Sequence, residues 1–236
     1  MLSRYAAVVL GMVVTASGGL AAQEQRPPDL SLAPVQRLGP DLLRVGNIQV
    51  DTAKKEVSVR GVVNEVQVLE FLANTKGGLK AYESALELDT NAVNFNLALI
   101  LIGLDPARAV PPRSKFDPVP PQGDPVAVWV EWNDGGRRRR ISAAQILYHK
   151  DSGATVAEGP WIYTGSVFYG DTGSSTSYAA ELDGTLIGFM HTPSSIIDTA
   201  SPILGDWGST IINPSLNLKP GTEIVLIVQT LPRGKS

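Results

Sequence analysis

Apolar and polar residues alternate at strand spacing over residues 48–51 and again over 56–62, with Thr52, Ala53, Lys54 and Lys55 between them. That pattern predicts a half-buried antiparallel hairpin. Residues 66–73 and 84–88 continue as strands, separated by a turn at Lys76, Gly77 and Gly78. Residues 91–102 form the main helix candidate: Asp89 or Thr90 can cap its first turn, and Gly103 followed by Pro106 stops it. Its polar residues Asn91, Asn94 and Asn96 fall in the first half, while 97–102 is apolar all round, the mark of a buried helix. A buried strand over 97–102 fits the same run, because periodicity does not separate the two.

Seven prolines fall within the 21 residues 105–125, a composition that sustains neither a helix nor a central strand. Alternation resumes over 126–132, Asn133, Asp134, Gly135 and Gly136 form a strong hairpin turn, and 137–141 returns as the second strand. Ser142 and Gln145 match a capping box for a short helix ending near Tyr148. Residues 161–164, 186–190 and 223–230 complete the strands. The predicted class is α+β: strand-rich, with mixed or antiparallel sheets, one main buried helix and one or two short ones.

The first 22 residues change the picture. Arg4 precedes an apolar run of about 12 residues, and small residues at 17–22 precede Gln23, Glu24 and Gln25. This is the pattern of a secretory signal peptide, cut after Ala21 or Ala22, and too short to span a bilayer. No integral membrane span is expected after cleavage. Residues 23–41 read as a flexible tether. The expected location is the bacterial periplasm or exterior, and the absence of cysteine leaves stability to the core.

With 43% apolar and 18% charged residues the chain has enough hydrophobic content for a sizeable core. Loss of Arg4 with the leader leaves 19 basic against 23 acidic residues, which argues against nucleic acid as partner. No phosphate-cradling glycine motif, G-x-S-x-G elbow or H-E-x-x-H pattern occurs, so neither a cofactor nor a metal is called for.

Four features carry candidate chemistry. Asp171, Thr172, Gly173 and Ser174 resemble an aspartic-protease motif, with Ile203, Leu204, Gly205 and Asp206 as its downstream element. That chemistry needs two carboxylates sharing a proton, and the other such triplet, starting at Asp151, follows His149 and Lys150 rather than an apolar strand. The segment reads more simply as a flexible loop. Arg137, Arg138, Arg139 and Arg140 can hold an anionic lipid, polysaccharide or carboxylate by bidentate contacts, or can guard an edge strand. Trp129, Trp132, Trp161 and Trp207 can line a groove, Trp161 above all, or pack in the core. His149 and His191 read as surface or satisfied structural histidines.

Several phrases, taken in order, resemble the YdjY-like domain of bacterial exported proteins. They are residues 48–51 with 56–61, residues 69–73 with Tyr82, Glu83 and Ser84, residues 98–104, residues 161–166, residues 182–184, residues 196–198 and residues 220–225. The resemblance implies a single domain over 42–232, with 105–125 a crossover inside it, and it supplies no activity. Members often carry histidine where this chain has Tyr82 and Asn96, and Glu83 beside Tyr82 is the carboxylate the resemblance singles out. The expected function is a secreted, non-enzymatic protein that binds a partner protein or envelope component. The alternative is a carboxylate-dependent hydrolase using Asp171 or Glu83.

Overall fold

The computed structural model describes residues 31–170, 176–200 and 208–233. The leader, Asp171 to Ser174, the 203–206 element and Trp207 lie outside them. In chain order the elements are β1 (Val35–Arg37), β2 (Leu42–Val45), β3 (Ile48–Asp51), β4 (Glu56–Val63), β5 (Phe71–Thr75), β6 (Ser84–Leu88), α1 (Ala92–Leu101), β7 (Pro125–Asp134), β8 (Arg137–Ser142) and β9 (Leu147–His149). They continue with β10 (Ala154–Thr155), β11 (Trp161–Tyr163), β12 (Phe168–Tyr169), β13 (Ser177–Tyr178), α2 (Ala179–Asp183), β14 (Thr185–Gly188), β15 (Ile197–Thr199), β16 (Thr210–Ile212) and β17 (Glu223–Thr230).

The main sheet closes on itself. Its path runs β4-β17-β7-β11-β15-β14-β5-β6, and β6 pairs back onto β4, making an eight-stranded barrel. Pairings are antiparallel except β14 with β15 and β5 with β6, which are parallel. The β1-β2-β3 meander extends from β4, and β8 extends from β7. Register explains the core: Val57, Val228 and Val128 stand side by side, as do Val59, Leu226 and Val130, and all six are buried. Cross-strand neighbours share a face of the pleat, so this row is the barrel interior, filled by branched apolar side chains as an eight-stranded barrel requires. Among the described residues the fold is strand-rich, with mixed sheets and two α-helices as expected, but its mostly-β character matches an α+β class only loosely.

Helix α1 lies at one end, the helix end. Its packing partners are β2, β3, β14 and α2, and Asn96 accepts a hydrogen bond from the hydroxyl of Tyr163 at 2.7 Å. Asn91, rather than Asp89 or Thr90, is its cap, accepting from the Asn94 N–H at 2.8 Å. The Glu181 carboxylate accepts from the N–H groups of Ala92 (2.7 Å) and Val93 (3.2 Å), an anion placed where the helix presents free donors. The helix reading of 97–102 holds and the strand reading does not. Yet Ile100 is exposed, because a helix closing the end of a barrel buries only one side.

Other differences are local. β5 begins at Phe71 because 64–70 crosses from β4 without pairing as a strand. Val35–Arg37, inside the expected tether, pairs with β2, and the Ala33 N–H donates to the Asn94 side chain at 2.8 Å. Ser142 does cap a short turn of helix, over Ala143–Ile146.

Strands from both sides of the proline-rich crossover meet in the barrel. Buried Asp124 pins the end of the crossover, accepting from Arg108 (3.1 and 2.8 Å), Arg233 (2.9 Å) and the Asp105 N–H (2.9 Å). Burial alone would push its carboxyl up, but these donors outweigh it and hold the group below its ordinary value. A carboxyl depressed in the folded state contributes stability at neutral pH, begins to lose it as pH falls below the unfolded value of about 4, and has lost it once pH passes the lower folded value. Asp124→Asn is therefore expected to lower stability at pH 7, with the gap to wild type closing in acid; denaturant titrations at pH 7 and pH 3 measure it.

Candidate functional site

The barrel end opposite α1 carries the β7–β8 turn and most of the candidate residues. Pairing of Glu131 with Arg140 and of Trp132 with Arg139 fixes which arginine lies on which face. Arg138 and Arg140 share one face with Trp129 and Glu131, and Arg137 and Arg139 share the other with Trp132 and Asp134. Buried Glu131 takes Arg138 as a close ion pair and Arg140 at 3.4 Å, while Arg139 meets Asp134 at 3.1 Å. The Arg139 and Arg140 guanidiniums lie 5.2 and 5.0 Å from the ring centres of Trp132 and Trp129, within cation–π reach. The result is a two-faced ribbon of exposed guanidiniums on a strand that, among the described residues, pairs only with β7.

Trp161 is 3% exposed, opposite Thr199 on one side and Val126 on the other. It packs in the wall and offers no face to a groove.

Glu83 is buried beside the start of β6, and Lys80 lies 2.7 Å from its Oε1. Neighbouring Tyr82 is 66% exposed, with Lys80 over its ring. Asn96 is at the helix end with Tyr163, so the Tyr82 and Asn96 positions sit on different elements with different partners. Sequence reasoning missed Glu70. Its N–H donates to the Glu83 carbonyl at 2.9 Å, it is buried, and Lys115 from the crossover lies 2.6 Å from Oε2. Its one sequence signal is a carboxylate between Leu69 and Phe71.

Also missed was a polar set on the outer wall of β14 and β15. His191 and Asp198 are both 0% exposed. His191 Nδ1 lies 2.7 Å from the Asp117 carbonyl and Nε2 lies 3.1 Å from the Thr199 carbonyl. Asp198 accepts from the N–H groups of Thr199 (2.8 Å) and Thr192 (3.1 Å). Burial pushes its carboxyl up to about 6 against the opposing pull of His191 and these amides. Ser195 Oγ is buried there with no hydrogen-bond partner among the described residues. Serine, histidine and aspartate thus share one loop, but both imidazole nitrogens are engaged with carbonyls, so the ring has no lone pair facing Ser195 and is no general base for it. His149 is likewise buried; its Nδ1 accepts from the Ser152 N–H at 3.2 Å.

Among the described residues no group of three His, Asp or Glu side chains is placed to hold a metal ion, and no helix is long and apolar enough to cross a membrane. A cavity of about 290 Å³ opens beside Lys55, Asp124 and Arg233 at the helix end, and one of about 270 Å³ beside Asn64, Glu65 and Asn213 at the other. Compared with known families, residues 48–229 match the model of the YdjY domain. No curated protein and no solved structure matches the chain.

Proposed function

We propose, starting from the fact that the chain belongs to the YdjY domain family, that it is an exported, non-catalytic binding domain which docks on an acidic component of the bacterial cell envelope through the β7–β8 hairpin. The observation that carries this reading is the exposed, two-faced arginine ribbon on a protein of net charge -3. The barrel interior is filled, so recognition falls to the outside. Glu83 is tied to Lys80 and the His191 ring is held at both nitrogens. The leader pattern supports export, and guanidinium forks suit carboxylate or phosphate groups.

The test uses Arg137→Gln with Arg139→Gln, which leaves Glu131 its two arginine partners and removes only the face that meets exposed Asp134. Retention on an envelope fraction is expected to fall roughly tenfold at low salt, and wild-type retention to fall with added salt. The thermal midpoint should stay where it was. A double variant that binds like wild type but self-associates makes the arginines guards of the open β8 edge, and the binding reading is withdrawn.

A further inference from the structure

Strand β8 offers a partner more than charge. Gly135 and Gly136 have φ 57° and 89°, the type I′ loop whose flanking pair, here Asp134 and Arg137, is hydrogen-bonded. Hydrogen-bonded and open pairs alternate along an antiparallel ladder. Arg139 and Ile141 therefore turn their N–H and C=O groups toward β7, and Arg138 and Arg140 turn theirs outward. Both are exposed, and among the described residues no backbone group beyond the hairpin bonds to them. A row of outward-turned donors and acceptors is a template for another strand.

We propose that the partner of the β7–β8 hairpin is an acidic polypeptide segment that adds to β8 as a further strand, its main chain bonded to Arg138 and Arg140 and its carboxylates to the guanidiniums. This names the partner of the envelope-binding reading above and rests on it. A polysaccharide or a lipid headgroup supplies anions but no main-chain ladder.

Charge selects which strand can add. A second copy of β8 laid against the first would set arginine against arginine, and like charges directly opposite destabilise a strand pair. The edge is thus closed to its own copy and open to its complement. Within the hairpin each face keeps two arginines against one carboxylate, Glu131 on one face and Asp134 on the other. Successive side chains of an added strand fall on opposite faces. Adjacent acidic residues, one for each face, therefore match β8 better than acids spaced by two. The Trp129 and Trp132 rings back Arg140 and Arg139, which reduces the freedom lost when a carboxylate docks.

The probe is a short capped peptide of adjacent glutamates flanked by valine and threonine, titrated into the full chain at low salt. Its binding is expected to slow hydrogen exchange at the backbone N–H groups of Arg138 and Arg140, while Arg139, already bonded to β7, changes little. N-methyl groups on alternate peptide residues then read the ladder. On one alternate set they should weaken binding at least roughly tenfold through lost hydrogen bonds, and on the other set much less. Equal losses from both sets overturn strand addition, as does unaltered exchange at Arg138 and Arg140 in the saturated complex. Binding of phosphatidylglycerol vesicles with no binding of the peptide makes the surface a lipid site and also overturns it. Those results leave the envelope-binding reading standing, because that reading fails by a separate measurement: unchanged envelope retention of the protein carrying Arg137→Gln with Arg139→Gln.

Discussion

Gly61→Val is expected to lower stability by about 3 kcal/mol or more, the upper range for forcing extra atoms into a packed interior. Gly61 stands where the barrel closes: it is opposite Leu88 of β6 on one side and Ile224 of β17 on the other. A Cβ added there would meet the Glu87 carbonyl oxygen at 2.3 Å and Leu88 Cδ2 at 2.9 Å. The first of these is backbone, which no rotamer change relieves. The seam between β4 and β6 must therefore open, and interior neighbours lose contacts with it. For a chain of this size the loss corresponds to a fall in thermal midpoint of roughly 10 °C. Equilibrium denaturation of the variant measures it directly, and a midpoint within about a degree of wild type would show that the seam yields without cost.

Trp161→Ala is expected to cost about 3–5 kcal/mol, the usual range for removing a large aromatic from a core. The indole is wedged between Thr199 of β15 and Val126 of β7, and β11 has just three residues with which to join those strands. Loss of the side chain leaves a void where two three-residue strands, β11 and β15, meet in the wall. Retention on an envelope fraction should be unaffected under conditions where the variant is folded. This separates wall packing from a role in ligand contact: a variant of near-wild-type stability that no longer binds would restore Trp161 to a binding surface.

Sequence pattern was most informative where the structure is local. β17 has the expected bounds because 224–228 is an unbroken apolar run rich in β-branched residues, bounded by Gly221 and Pro232, and the arginine hairpin follows from the turn residues Asn133, Asp134, Gly135 and Gly136 after the strand over 126–132. Helix α1 was readable from its stop signals, but its cap was not: Asp89, Thr90 and Asn91 are all good caps. Asn91 takes the role, and Glu181, from 90 residues away, accepts from the next two free N–H groups, a partner no local pattern announces. Barrel closure was invisible for the same reason. Nothing within 56–63 says that its first half pairs with β3 and its last part with β6.

The polar set on the outer wall was hidden more thoroughly. His191 lies among Phe189, Met190, Thr192 and Pro193, with no spacing that marks a site. Its partner Asp117 belongs to a stretch whose composition says only that it is neither helix nor strand. Glu70 and Glu131 read as ordinary solvent-facing strand residues until Lys115, Arg138 and Arg140 are seen to cover them.

The place of β17 in the barrel has a consequence for how the chain is made. It stands between β4 and β7, so a strand late in the sequence completes the ladder that earlier strands need. Synthesis delivers segments from the N-terminus onward, and pairings between distant segments form slowly. Until residues 223–230 emerge, β4 and β7 both present unpaired edges and the barrel stays open. On the export proposed above, a chain threaded unfolded through a translocation pore would stay open until residues 223–230 had followed β4 and β7 through it, because both strands pair with them.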